Sequence, residues 1–164
     1  MFRDSTYHDA WESLRGRPGF RIASTAQIFV AALIGRGLGG GFELAANFYS
    51  LGRRGWGRLA GLAGVVLAAS EGLAVWRVFQ FLLAEKSASD AIPPLRHPLL
   101  WACALWPLAA AALAAMAAQF LIGGILRTHR GRGGAHRAWL GVIARAAAWG
   151  ALWGAAVFAV LYFH

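Results

Sequence analysis

Three apolar blocks, Leu59–Ala84, Leu99–Leu126 and Ala138–Phe163, constrain this chain more than any other feature. Each exceeds the roughly 20 residues that carry a helix across a bilayer. Backbone amides in hydrocarbon must find partners within their own segment, so blocks of this length fold as helices. The polar stretches "EKSASDAIPPLRHP" and "RTHRGRGGAHR" connect them. Only 14% of the residues are charged, against about 25% in a soluble domain. The expectation is an all-α integral membrane protein with three transmembrane helices and one further apolar segment.

That further segment, residues 25–51, is harder to place. Its centre, "AALIGRGLGGGFELAANF", carries Gly35, Gly37, Gly39, Gly40 and Gly41, with Arg36 and Glu43 beside them. It either crosses the membrane as a fourth full span or enters and turns back. The arginines discriminate, because short cytoplasmic loops are enriched in Lys and Arg. With a full span, Arg3, Arg15, Arg17, Arg21, Lys86 and Arg96 face Arg53, Arg54, Arg58, Arg127, Arg130, Arg132 and Arg137 across the membrane, which specifies no orientation. With a re-entrant segment, only Lys86 and Arg96 lie opposite the other eleven, and Glu85 and Asp90 neutralise them.

The re-entrant arrangement is therefore favoured, with the N-terminus cytoplasmic. In it, "GLGGG" reverses the chain, since glycine reaches positive φ without steric cost. Ser24 or Thr25 caps a first helix of about twelve residues, and residues 42–51 form a shorter return arm. In a straight span the glycines would instead serve close helix contact, as Gly35-x3-Gly39 and Gly37-x3-Gly41.

Residues 1–21 form a polar segment with no apolar stretch of signal-peptide type. Tyr7, Trp11 and Leu14 share a helical face, as in an amphipathic helix lying at the headgroups. Residues 22–164 form a single membrane domain. Cys103 stands alone in the sequence, which excludes an intrachain disulfide and suits a small packing residue. The preference for Arg over Lys fits a GC-rich bacterial genome and an inner-membrane location.

The segment "STAQIFVAALIGRGLGGGFELAANFYSLGRR" resembles one shared by small uncharacterised bacterial multi-pass membrane proteins. Their pattern is S-x-x-Q-I-x-x-A, a glycine-rich centre, then Asn shortly before Leu-Gly-Arg. Ser24 (or Thr25), Gln27, Ile28, Ala31, Gly35, Gly39, Gly40, Leu44, Asn47, Leu51, Gly52 and Arg53 carry the likeness. Arg36 and Gly37 stand where Gly-Pro is expected, and Glu43 also departs. The resemblance covers about thirty residues; it implies a recurrent structural unit and no activity.

Charged residues within the spans are the candidate functional positions, since each costs about 2.5–3.5 kcal/mol at a helix centre on insertion scales. Glu71 is the most demanding. It sits about 18 Å from either end of its block at 1.5 Å per residue, too deep for a short side chain to reach water. A pair with Arg36 is expected, with Arg145 as the second candidate. Arg77 and Arg145 lie about two turns from their block ends, where arginine can snorkel to the headgroups.

Other positions read as packing. Ala109–Ala118 permits close approach of a neighbour, and Pro107 is expected to kink its helix. Trp149 and Trp153 beside Gly150 and Gly154 form a stripe that suits ordinary helix packing, or a partner or lipid cofactor. His129 and His136, seven apart in a basic loop without a nearby carboxylate or thiolate, make a poor metal site. Contact of that loop with anionic headgroups is expected instead.

The net charge of +9 has no soluble basic face on which to bind nucleic acid. No phosphate loop, zinc-protease motif or nucleophile elbow occurs. No cofactor, metal or enzymatic activity is expected. Two functions fit: an accessory or scaffold subunit packing against a larger complex or copies of itself, and a small oligomeric ion or proton pathway using the Glu71 and Arg36 pair.

Overall fold

The computed structural model describes residues 21–88, 98–131 and 134–163. The interfacial helix expected within residues 1–20, the connection at residues 89–97 and the side chain of Cys103 lie outside the described residues. Those described form five helices: α1 Thr25–Ile34, α2 Arg36–Ser50, α3 Arg54–Ala88, α4 Pro98–Gly131 and α5 Trp139–Phe163. Three of them are long and apolar enough to cross a membrane, over Arg54–Ala84, Ala104–Gly131 and Trp139–Phe163. The protein is multi-pass.

The first apolar block is a helical hairpin, α1 running in and α2 running back. Residues at about equal distances on either side of the Gly35–Arg36 break face each other. Ala31 and Ala32 meet Gly39 and Gly40, and Ala23 at the entrance hydrogen-bonds Asn47 at the exit. Ten residues make α1, about 15 Å at 1.5 Å per residue, or half a hydrocarbon core of about 30 Å. The tip meets Ala146 and Gly150 of α5 and Gly64–Ala68 of α3, well inside both helices. The hairpin thus reaches mid-depth and leaves on the side from which it came.

The chain reverses one turn earlier than the glycines suggest. Gly35 (φ −91°) and Arg36 (φ 56°) make the break, whereas Gly37 and Gly39–Gly41 are ordinary helix within α2. Their value is steric. A Cβ on Gly39 would collide with the carbonyl of Ala31 in α1. Gly41 and Gly64 lie face to face where α2 crosses α3, and a Cβ on Gly64 would sit 2.8 Å from the Gly41 Cα. Backbone contact of this kind drives helix association in lipid, where apolar side chains gain little from one another. The first helix is correspondingly shorter than expected, and the return arm longer.

The hairpin is also the core. Ile22, Ala23, Ile28, Ala31, Ala32, Leu44, Ala45, Phe48 and Leu51 are all buried. The spans ring it and meet mainly through it: α3 packs on α2, α4 on α1 and α2, and α5 on both arms. The alanine-rich stretch of α4 serves this packing, with Ala110, Ala111 and Ala118 buried and Ala114 beside Gly40. Pro107 lies within α4, which continues through it.

Candidate functional site

The hairpin carries polar groups into an apolar setting at two levels, and each has an arrangement of partners. At the base, Ser24 caps α1. Its hydroxyl accepts from the Gln27 backbone N–H at 3.2 Å, and the Gln27 Oε1 accepts from the Ser24 N–H at 2.9 Å. This reciprocal capping box satisfies two of the donors a helix start leaves open. Gln27 then donates through Nε2 to the Arg137 carbonyl at 2.6 Å. Asn47 closes the two arms: its Oδ1 accepts from the Ala23 N–H at 2.7 Å and its Nδ2 donates to the Ala23 carbonyl at 2.8 Å. One side chain thereby pairs both backbone polar groups of Ala23, which lies buried at the hairpin entrance.

The connection between α4 and α5 folds onto this base. Ile22 and His136 form an isolated parallel bridge, and the Arg137 N–H donates to the Ile22 carbonyl at 3.2 Å. His136 Nδ1 lies 3.3 Å from the same carbonyl. His129 is buried, with Nε2 3.0 Å from the Ala135 carbonyl. The two histidines of this basic connection are fitted against the protein. Their rings lie 5.9 Å apart, and no group of three His, Cys, Asp or Glu converges as a metal site among the described residues.

Glu43 is the acidic centre of the base. Arg145 Nε donates to its Oε1 at 2.7 Å, and Arg137 Nη1 donates to its Oε2 at 2.9 Å. Arg137 also reaches the Ser50 hydroxyl and the Arg21 carbonyl, each at 3.4 Å. Arg145 had been the second candidate for Glu71; it pairs with Glu43 because it enters α5 only six residues from the start, level with the middle of α2. The carboxylate ties the return arm to the last span.

The second level is the hairpin tip. Arg36 Nη1 donates to Glu71 Oε1 at 3.1 Å, the pairing expected from sequence. The Arg36 guanidinium lies 5.2 Å from the centroid of the Trp153 ring, within cation–π range. Trp153 Nε1 in turn donates to the Ala68 carbonyl of α3 at 3.0 Å. The break at Gly35 leaves the first N–H groups of α2 without intrahelical acceptors, at the level where Arg36 pairs with the Glu71 carboxylate. The Glu71 carboxylate thus has the Arg36 guanidinium as its partner at this depth, where irregular backbone is sheltered by the surrounding helices. Its Oε2 is buried with no hydrogen-bond partner among the described residues.

The remaining sequence candidates divide by place. Trp149 stacks on Phe42 of α2 at 4.3 Å between ring centroids, and Gly150 admits the Ile34 carbonyl. Gly154, expected to pack a neighbouring helix, has open space where a side chain would stand. Arg77 is on the exposed side of α3, away from both clusters. Gln27, Asn47 and Arg137 were missed as site residues. The available signal was two amide side chains within an apolar block, each costly there unless bonded.

Beyond the tip, α3 and α5 are no longer bridged by the hairpin. A cleft of about 710 Å³ opens there. Its lining is apolar throughout: Ala68, Ala69 and Gly72 make the α3 wall shallow, while Leu152, Val157 and Leu161 line the α5 side, with Trp76 and Trp153 the largest side chains. Leu38 closes it at the hairpin, two residues after Arg36. Comparison with protein-family models, with curated proteins and with solved structures finds no match to this chain.

Proposed function

We propose that this protein is a non-enzymatic accessory subunit of a bacterial inner membrane, holding a partner's transmembrane helix in the cleft between α3 and α5. The cleft is the observation that carries the reading. Ala68, Ala69 and Gly72 on the α3 side suit close helix approach, the lining as a whole is apolar, and Trp153, bonded to the Ala68 carbonyl, sets the spacing of the two walls. The partner is an apolar helix of a larger membrane complex; a second copy of this chain is the other candidate occupant. Arg53, Arg54 and Arg137 gather at the hairpin base, which supports a cytoplasmic base and N-terminus by the positive-inside rule.

Purification in a gentle detergent tests this. A partner should travel with the protein in fixed ratio. Gly72→Leu should release it, because a Cβ at Gly72 meets only Val157, at 3.6 Å, so the larger side chain fills the cleft and leaves the fold intact. Wild-type protein that runs alone and monomeric would overturn the proposal.

One observation favours a second reading, an ion or proton pathway. The unpartnered Oε2 of Glu71 lies beside a helix break, the arrangement transporters use near the bilayer midplane. Flux in liposomes that vanishes in Glu71→Gln would support it, and flux equal to that of empty liposomes would exclude it.

A further inference from the structure

The base cluster is unbalanced. Arg137 and Arg145 share one carboxylate, Glu43, so the three side chains carry a net positive charge. Arg137 uses its donors on Glu43, Ser50 and the Arg21 carbonyl. Arg145 uses only Nε, and its side chain remains 49% exposed. Its guanidinium is turned back along α5 toward the membrane surface: a Cβ on Gly141 would lie 3.6 Å from Nη1. Gly141 leaves a notch beside the free edge of the guanidinium, and the neighbouring Ala144 is small. Trp139, half-exposed at the start of α5, marks the headgroup level in the way interfacial tryptophans do. Arg145 lies about 9 Å below it at 1.5 Å per residue, within reach of a phosphate by snorkelling.

We propose that Arg145, oriented by Glu43 and opened by Gly141, binds the phosphate of an anionic phospholipid in the leaflet at the hairpin base. The two terminal nitrogens present parallel N–H donors, the fork that matches phosphate oxygens. A lipid with net charge −1 neutralises the cluster, which a zwitterionic lipid does not. The site is separate from the cleft, so it stands whatever occupies that space.

Native mass spectrometry of the full chain, released from micelles holding equal phosphatidylglycerol and phosphatidylcholine, tests the proposal. The wild type should retain phosphatidylglycerol about fivefold over phosphatidylcholine, the preference one arginine at a membrane surface confers. Arg145→Gln should lose that preference, with Glu43 still paired to Arg137. Gly141→Leu should lose it too, since it closes the notch while the Glu43 pair persists. Arg77→Gln, which alters an exposed arginine in another helix, should keep it. Equal retention of both lipids by the wild type would overturn the proposal, as would a preference that survives both Arg145→Gln and Gly141→Leu. Displacement of the lipid by inorganic phosphate at equal concentration would show a free-anion site and overturn it likewise.

Discussion

The hairpin and the three spans around it use apolar sequence in opposite ways. Phe120 in α4 is 87% exposed and Leu140 in α5 is 80% exposed, while Asn47 in the hairpin is 0% exposed. In water this ordering would be a misfold. In lipid it is the rule, because an apolar side chain gains little by leaving acyl chains for protein. What is buried is instead what lipid cannot satisfy: glycine backbone, amide side chains and charges. The spans are long and greasy so that they can face lipid, and the hairpin is small and polar so that it can be enclosed.

Substitutions that give the hairpin the character of a span should therefore do the most harm. Gly39→Leu is expected to have the largest effect, since a side chain there collides with the Ala31 carbonyl and the two arms cannot close; size-exclusion chromatography should show aggregated or absent protein. Glu43→Ala strands Arg137 and Arg145 near each other and should cost about 3–5 kcal/mol, as removal of one partner of a buried pair does. Thermal unfolding in detergent reads this against the wild type, at roughly 2–4 °C per kcal/mol for a chain of this size. Asn47→Ala frees the Ala23 N–H and carbonyl and should cost about 1–3 kcal/mol in the same assay. Phe120→Ala removes the most exposed large side chain of α4 and should stay within about 0.5 kcal/mol. A Phe120→Ala effect equal to that of Asn47→Ala would erase the distinction.

Much of this organisation is legible in the sequence. Block length alone locates the three spans, because hydrocarbon thickness sets a minimum that few soluble helices meet. The returning segment follows from the placement of arginines, and the Arg36–Glu71 pair from the depth of Glu71. The position of the turn was not legible. Glycine permits both unusual backbone angles and close contact, and nothing local distinguishes the uses; here contact claims Gly37 and Gly39–Gly41, and Arg36 takes the positive φ. Glu43 was singled out among the glycines without a partner. Its actual partners are about a hundred residues away, Arg137 just before α5 and Arg145 within it, and the rotation and depth of that helix depend on the hairpin itself. Asn47 and Gln27 bond to backbone, which leaves no complementary side chain to find.

The distance in sequence between Glu43 and Arg145, 102 residues, has a consequence for biogenesis. At about 5–20 residues per second, roughly 5–20 s pass between synthesis of the acid and synthesis of its second base. For most of that interval, until Arg137 is made 94 residues on, Glu43 lacks both of its bases and the hairpin has no finished enclosure. The hairpin is made before all three spans that enclose it, so it waits at the surface or beside the insertion machinery until α5 arrives to lock it in.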